Sequence, residues 1–557
     1  MKINKTASQY IIFLTFTIVY QYFFKDAPSL YLSENDSIWY VKASRSMFSG
    51  NWLDEYNRLT LIKNSFFPLF LTLIHFFKIK YSTLIITAHH LSILFFIRTF
   101  KPKSNLVFTL LLISSFFYPE FFTTYKATII REDLEVILLF LMMGSIGRLF
   151  LNGDQKYLIL SSLIAGIGLI NRDSGYTWII PFTIIAIFST YKEYQKSKNL
   201  LKQFSIIALS FLILNIPSFF IKKKNESQYG FYGKSLIYNG EFQNMYAELT
   251  SIRHKSDLPT VLGNPLANRT INEIRKTADK DSMLLALMNK LEVKWGEYKN
   301  PSTTIDTING GKQWGVMLLW GLFYSLHDIY DKKYQLHSSP KNFGKACQEI
   351  IDEVKSFCSK HPDFDCSIKN KGFIQNPKNW SKNGFFNELI FNLPKFFSKY
   401  IYWTLGERKN RTALGPINDD LIWIKNREEE AFDLFKNINY TKKSYEEDRL
   451  SSPTLKKLQI FSYLIRYAAI LIAIIFIFKN KEEIFKLNFL RQKNTHLLIS
   501  TTLIFLISNS LYYIYYLMLL KRGYKHLVIS GCMFVPLIII FVNGLVNFKE
   551  LSIKNNK

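Results

Sequence analysis

The amino-acid sequence predicts an all-α polytopic membrane protein with about ten transmembrane helices and one mainly helical extracytoplasmic insert. Three observations predict this fold class. Apolar stretches of membrane-spanning length occupy residues 10–220 and 456–547, whereas residues 222–455 are polar and mixed. The chain contains 49 Phe and 32 Tyr, more Phe than soluble domains usually carry. Clusters of Lys and Arg separate the apolar stretches, as orientation by positive cytoplasmic loops requires.

The N-terminal segment is similar in composition to a secretory signal. Lys2 and Lys5 precede an apolar stretch over residues 9–24. A signal peptide would end in a cleavage motif of small residues, and residues 25–28 contain no such motif. We therefore expect this segment to remain in the protein as its first transmembrane helix.

Residues 66–77 form the second apolar stretch, which is shorter than the roughly 20 residues that cross a bilayer. It has Pro68 near its start and is followed by Lys78. We predict a helix at the membrane interface here. A crossing at this point would move the basic cluster at residues 98–103 to the extracytoplasmic side and invert the loops that follow.

The remaining apolar stretches predict nine further crossings. They cover residues 81–99, 104–118, 133–151, 157–171, 175–190, 201–221, 456–478, 496–520 and 526–547. With ten crossings, most basic clusters lie on one side, which the positive-inside rule identifies as the cytoplasm. We therefore expect a multi-pass protein of the inner (plasma) membrane, with both termini cytoplasmic and the insert extracytoplasmic.

The predicted topology divides the chain into three domains. They are an N-terminal transmembrane module (1–221), the insert (222–455) and the C-terminal helices (456–557). The insert is long enough to fold as a domain. Its pattern predicts helices that begin at Asn268 and recur through residue 357.

The insert also contains Cys347, Cys358 and Cys366. In an extracytoplasmic insert Cys358 and Cys366 can form a disulfide, and three free thiols are the alternative.

The formal net charge of +27 does not by itself predict nucleic-acid binding. Lys and Arg do not form one patch with interleaved aromatic residues, and no nucleic-acid docking motif accompanies them. We expect membrane lipids, and no nucleic acid, among the partners.

The predicted topology collects ionisable residues from four separate loops on the extracytoplasmic side. Such groups at a membrane boundary are costly unless they pair, reach water or bind a ligand. We therefore expect them to form the floor of one polar cavity. They are Glu34, Asp36, Lys126, Arg131, Glu132, Asp133, Arg172, Asp173, Lys521, Arg522 and Lys525. The alternatives are solvated acids at 34 and 36, helix-end charges at 131–133, a local ion pair at 172–173 and a short loop that tolerates its positive charge at 521–525.

Several short stretches occur in a characteristic order along the chain. They are residues 34–40, 50–53, 61–71, 119–132, 171–181 and 522–524. In this order and on one side, they resemble the C-type (GT-C) glycosyltransferases, such as protein O-mannosyltransferases, aminoarabinose transferases of lipid A and uncharacterised bacterial relatives. The resemblance covers about residues 1–220. Asn35 separates the two acids, which is closer to the D-x-D form of the oligosaccharyltransferases.

This resemblance implies extracytoplasmic transfer of a hexosyl or pentosyl group from a polyprenyl-phosphate-linked donor to a lipid, glycan or protein, by an inverting displacement. It implies that Asp36 is the catalytic base and that Glu34 orients it. Substrate contacts are expected from Lys63, Arg131, Glu132, Arg172, Asp173, Lys521, Arg522, Tyr524 and Lys525, whose cations would offset the donor phosphate. A divalent cation, Mg²⁺ or Mn²⁺, is compatible with the acids, although we assign no metal ligand and require no cofactor.

Other function classes fit parts of the sequence. A transporter or flippase of lipid-linked sugars would place charges deep within its helices, where this sequence has only His89, His90 and Arg466. A non-catalytic envelope assembly protein would act through the insert and would not need the paired acids. An oligosaccharide polymerase or ligase would use the same donors with a different helix pattern. The sequence leaves the sugar, the acceptor and the oligomeric state open.

Overall fold

The structure is a computed structural model, and it describes fifteen ranges of the chain. These are residues 5–23, 35–57, 60–79, 81–99, 105–116, 131–152, 154–171, 176–197, 199–238, 240–255, 268–295, 300–301, 312–313, 315–336 and 338–366. Within these ranges the protein is mostly helical, as an all-α fold requires. The three crossings expected after residue 455, with the whole C-terminal domain, lie outside the described residues.

In the described part of the chain, nine helices precede the insert. They are α1 (Lys5–Phe23), α2 (Asn35–Phe48), α3 (Phe66–Phe76), α4 (Tyr81–Thr99), α5 (Asn105–Phe116), α6 (Glu132–Asn152), α7 (Lys156–Asn171), α8 (Tyr176–Ser197) and α9 (Leu200–Tyr229). Each of the seven stretches predicted to cross the membrane before the insert therefore forms a helix. The short stretch at 66–77 forms the eleven-residue helix α3.

Helix α2 lies in a segment for which the sequence predicts only a polar loop. Its apolar face explains the difference, because Trp39 and Tyr40 are buried there. The ring of Tyr40 meets the ring of Phe67 on α3 edge-on, with centroids 5.0 Å apart. The helix is therefore stabilised by packing against α3 rather than by its own composition.

Helix α9 is the longest helix among the described residues, and its ends are defined by local capping. The side chain of Asn199 accepts a hydrogen bond from the backbone N–H of Lys202, which satisfies a donor at the helix start. The helix ends at Gly230, whose φ of 66° is a left-handed conformation that favours glycine. Between these caps α9 continues eight residues beyond the predicted crossing, which ends at residue 221.

One helix among the described residues is both long and apolar enough to cross a membrane, namely α9 over Leu201–Tyr229, and 22% of its most apolar window is buried. Three shorter apolar helices cover Phe66–Phe76, Thr83–Thr99 and Lys156–Asn171. The expected number of ten crossings therefore stays a prediction.

The helices before the insert pack as a bundle in which α4 contacts α5 and α6, and α7 contacts α6, α8 and α9. Glycines allow two of these pairs to approach closely. A Cβ atom at Gly166 on α7 would meet the backbone carbonyl oxygen of Leu214 on α9, and a Cβ at Gly144 on α6 would lie 2.5 Å from the ring of Phe95 on α4. Small residues at helix contacts are typical of membrane bundles.

The described part of the insert is a second group of helices, whose buried residues continue the apolar core of the bundle. The helices are α10 (Gly240–Ser251), α11 (Asn268–Thr277), α12 (Met283–Trp295), α13 (Gly315–Tyr334) and α14 (Pro340–Lys360). Helix α11 begins at Asn268, the residue at which the sequence predicts a helix start. Short antiparallel pairs join β1 (Arg253–His254) to β4 (Phe364–Asp365) and β2 (Asn300–Pro301) to β3 (Lys312–Gln313).

A disulfide joins Cys358 near the end of α14 to Cys366 after β4, with Cα atoms 6.1 Å apart. The structure therefore favours the disulfide over three free thiols. Cys347 is a buried free thiol, and burial, followed by the nearby charge of Glu241, raises its pKa. The bridge ties β4, which pairs with β1, to the end of α14.

We expect maleimide labelling of the unfolded, non-reduced full chain to modify two of its four cysteines, Cys347 and Cys532. Reduction should raise the count to four. Replacing Cys358 and Cys366 together by Ser should lower the unfolding free energy by about 2–3 kcal/mol. The disulfide closes a short loop and lowers the entropy of the unfolded chain, and the variant loses this stabilisation. Labelling of Cys358 without reductant would contradict the pairing.

Candidate functional site

The two ends of the bundle differ in the side chains that join their helices. At one end, which we call the basic end, Arg98 donates to Gln9 Oε1 at 2.7 Å. Arg148 donates to the hydroxyl of Tyr157 at 3.2 Å. The basic end therefore joins the start of α1, the ends of α4 and α6, and the start of α7.

The opposite end, which we call the site end, joins segments that are far apart in the sequence. The hydroxyl of Tyr81, at the start of α4, donates to Asp133 Oδ2 on α6 at 2.7 Å. Asn171, at the end of α7, donates through its side-chain amide to the backbone oxygen of Arg131 at 3.1 Å. Lys234, after α9, donates to the backbone oxygen of Leu169 at 3.5 Å.

The first loop, of which residues 49–57 and 60–65 are described, is held at the site end by α9. Trp52 Nε1 donates to the buried Asn225 Oδ1 at 2.7 Å. The hydroxyl of Tyr229 donates to the backbone oxygen of Asp54 at 2.8 Å and accepts from the backbone N–H of Leu53 at 3.1 Å. The first loop therefore has a defined position relative to the start of the insert.

The same loop continues into a second set of hydrogen bonds with residues 235–236. The backbone N–H of Leu236 donates to the carbonyl oxygen of Leu61 at 2.8 Å. The hydroxyl of Ser235 donates to the carbonyl oxygen of Ile62 at 2.9 Å. Lys234, the residue before Ser235, is the one that reaches α7. A continuous path of contacts thus connects the first loop, the end of α7 and the start of α6.

Lys63 is the charged residue of the first loop that the structure places most deeply. Its side chain is 8% exposed, and its Nζ lies 5.7 Å from the ring centre of Tyr40 and 5.5 Å from that of Trp320. Cations are attracted to aromatic faces at such distances. Trp320 belongs to α13, so the insert forms one wall of this site.

Asp36 lies in the first turn of α2, four residues before Tyr40. Residues four apart lie on the same face of a helix. The backbone therefore places position 36 on the face of α2 that carries Tyr40 toward Lys63.

Asp133 is among the charges that the sequence predicts at this boundary, but neither it nor Glu135 was expected to contact the substrate. Both are buried on α6, with exposures of 1% and 2%. The signal was present in the sequence, since two acids within the first turn of an apolar helix are costly without partners or function. Tyr81 and Trp320 carried no such signal, because aromatic residues are common at membrane boundaries and in cores.

The structure describes four of the predicted site residues. Arg131 directly precedes α6, Glu132 is the first residue of α6, Lys63 lies between the two rings, and Asp36 is in α2. The others lie outside the described residues: Glu34, Arg172, Asp173, Lys521, Arg522, Tyr524 and Lys525.

The electrostatic setting of the first loop includes a buried phenol. Burial, followed by the nearby Cys347 thiol, raises the pKa of Tyr56, so this group stays protonated at neutral pH.

No group of three or more His, Cys, Asp or Glu side chains within the described ranges is arranged to hold a metal ion. Because Glu34 is outside those ranges, the divalent cation remains a prediction.

The site end therefore combines acids on α6, a buried lysine in the first loop and an aromatic wall from the insert. These elements provide proton acceptors, a fixed cation and apolar surface at one end of a helical bundle. No family model and no curated protein sequence matches this chain.

Proposed function

We propose that this protein is an inner-membrane glycosyltransferase that moves a sugar from a polyprenyl-phosphate donor to an acceptor on the extracytoplasmic side. One observation carries the proposal. Residues 52–57, 60–64, 131, 169–171 and 225–236 lie in or directly beside segments that the sequence predicts on that side, and hydrogen bonds join them at one end of the bundle. Their acids and cations are the groups that such a transfer needs.

Membrane insertion is supported by the surfaces of the helices. Side chains on α1 and α9 that face outward are large and apolar, including Ile18 at 67% and Phe204 at 68% exposure. Exposure of such large apolar side chains to water is unfavourable, whereas contact with lipid acyl chains is not. The proposal retains the predicted ten crossings, of which seven correspond to described helices.

The orientation is supported by two features at opposite places in the protein. Arg98, Arg148 and Lys156 gather at the basic end, as the cytoplasmic side requires. The disulfide between Cys358 and Cys366 belongs to an oxidising compartment, which agrees with an extracytoplasmic insert. In this orientation the site end meets the outer leaflet, where a lipid-linked donor presents its phosphate.

The proposed chemistry is a single inverting displacement. The acceptor hydroxyl oxygen forms a bond to the anomeric carbon while the bond from that carbon to the phosphate oxygen breaks. The hydroxyl proton passes to the Asp36 carboxylate, and the phosphate leaves with the bonding electron pair. Lys63 and Arg131 would stabilise the charge on that phosphate, and Trp320 would offer an aromatic face to the sugar.

Replacing Lys63 by Gln is expected to weaken binding of undecaprenyl phosphate about tenfold, because one charge-assisted contact to the phosphate is lost. The measurement is a binding titration by tryptophan fluorescence with the full-length protein in nanodiscs. The matched control is Lys42→Gln, which removes a partly exposed lysine that lies 3.8 Å from Asp54 and should leave binding unchanged. Equal affinities for wild type and a folded Lys63→Gln protein would contradict the assignment.

A further inference from the structure

Helix α9 extends beyond the apolar segment that fits a bilayer. Its 30 residues span about 45 Å, whereas the hydrocarbon core is about 30 Å thick. The apolar part ends at Ile221, and three consecutive lysines occupy positions 222–224. These lysines therefore lie where the helix emerges on the side of the insert.

An exposed apolar stripe runs along α9 directly to these lysines. Leu212, Ile216, Phe219 and Phe220 are 60%, 51%, 55% and 53% exposed. Their spacing of three and four residues places them on one face of the helix, and the next positions on that face are 223 and 224. The opposite face, with Leu214 and Ile221, is buried.

The lysine cluster keeps a net positive charge after its internal pairing. Lys223 forms an ion pair with Glu226 at 2.7 Å. In the part of the chain that the structure describes, Lys222 and Lys224 have no carboxylate oxygen within 4.0 Å. Lys222 lies over the ring of Tyr232 at 5.4 Å, and Lys224 over that of Trp52 at 6.0 Å. Three lysines and one glutamate leave two positive charges at the surface.

We propose that this face of α9 binds an anionic phospholipid of the outer leaflet. Its acyl chain lies along the stripe from Leu212 to Phe220, and its phosphate lies at the cluster of Lys222, Lys223 and Lys224, where the stripe ends. Positive charge on the translocated side opposes the usual charge distribution of membrane proteins, and an anionic headgroup offsets that cost. The aromatic rings of Trp52 and Tyr232 suit the interfacial level at which a headgroup sits.

The inference uses the proposed membrane placement of α9, but it does not depend on glycosyl transfer. Its occupant is a bulk lipid with an anionic headgroup, distinguished from the donor lipid by abundance and by its two acyl chains. Lysine recognises phosphate as a point charge, so the site should discriminate by net charge and be sensitive to salt.

The experiment measures retention of 1-palmitoyl-2-oleoyl-phosphatidylglycerol by the full-length protein with native mass spectrometry. Lys222→Gln/Lys224→Gln should bind it about 30-fold more weakly than wild type, at roughly fivefold per lysine near the surface. Lys222→Arg/Lys224→Arg should retain binding. The matched control Lys341→Gln/Lys355→Gln removes two exposed lysines of α14 and should change nothing.

Three results would overturn the inference. They are equal retention by wild type and the Gln double variant, equal binding of phosphatidylcholine and phosphatidylglycerol, and displacement of phosphatidylglycerol by equimolar undecaprenyl phosphate. The last result would assign the face to the donor lipid. Asp36→Asn should bind phosphatidylglycerol like wild type, so failure of the glycosyltransferase proposal would not disturb this measurement.

Discussion

Asp36→Asn is expected to lower the rate of sugar transfer about 100- to 10,000-fold, because an amide cannot accept the proton of the attacking hydroxyl. The substitution preserves the size of the side chain, so folding and membrane insertion should be unaffected. The measurement is release of undecaprenyl phosphate from undecaprenyl-phosphate-linked hexoses and pentoses, with purified protein added to envelope membranes as the source of acceptor.

The matched control for this prediction is Asp54→Asn in the first loop. Asp54 is partly exposed, and its weak contact with Lys42 spans 3.8 Å. Its φ of 79° is a conformation that asparagine adopts as readily as aspartate, so Asp54→Asn should retain full activity. A fully active Asp36→Asn protein would remove Asp36 from the mechanism, and a loss shared by both variants would indicate a structural effect.

Gly166→Ala is expected to destabilise the bundle by about 2–3 kcal/mol. The new methyl group would press on the backbone carbonyl oxygen of Leu214, and backbone cannot yield as a flexible side chain can. Alanine is intrinsically the better helix former by about 1 kcal/mol, so the loss must come from the contact between α7 and α9. Thermal unfolding in detergent should show a fall in melting temperature of about 5 °C.

Gly344→Ala is the same chemical change, and it is expected to raise the stability of the protein rather than lower it. Gly344 lies inside α14, and a Cβ atom there would make only an ordinary 3.6 Å contact with Glu241 Cγ. The gain in helix propensity should then raise stability by up to about 1 kcal/mol. Equal effects of the two substitutions would contradict a close approach of α7 and α9 at Gly166.

Helix positions in this protein follow from local sequence information. Crossings predicted at 81–99 and 157–171 correspond to α4 (Tyr81–Thr99) and α7 (Lys156–Asn171), because apolar length and flanking polar residues are local properties. The helix start at Asn268 follows from the same kind of signal. In contrast, α2 was not predicted, because its burial against α3 is a tertiary effect.

Some site residues likewise follow from local sequence information, and others depend on tertiary packing. Asp36 and Arg131 were expected from charge at a predicted membrane boundary, which the sequence displays directly, and Lys63 was expected from the family resemblance of the stretch 61–71. The sequence does not predict the role of Trp320, because nothing local to residue 320 shows that α13 packs over the first loop. The partnership of Tyr81 with Asp133 was invisible for the same reason.

The sequence by itself determined the helices, the segregation of apolar from polar segments, and the basic residues that predict orientation, since each depends on neighbours along the chain. Only the tertiary structure decided which loops meet, which acids are buried, and that Lys63 lies between a ring of α2 and a ring of the insert. Those features depend on packing between segments up to hundreds of residues apart, and no local pattern encodes such contacts.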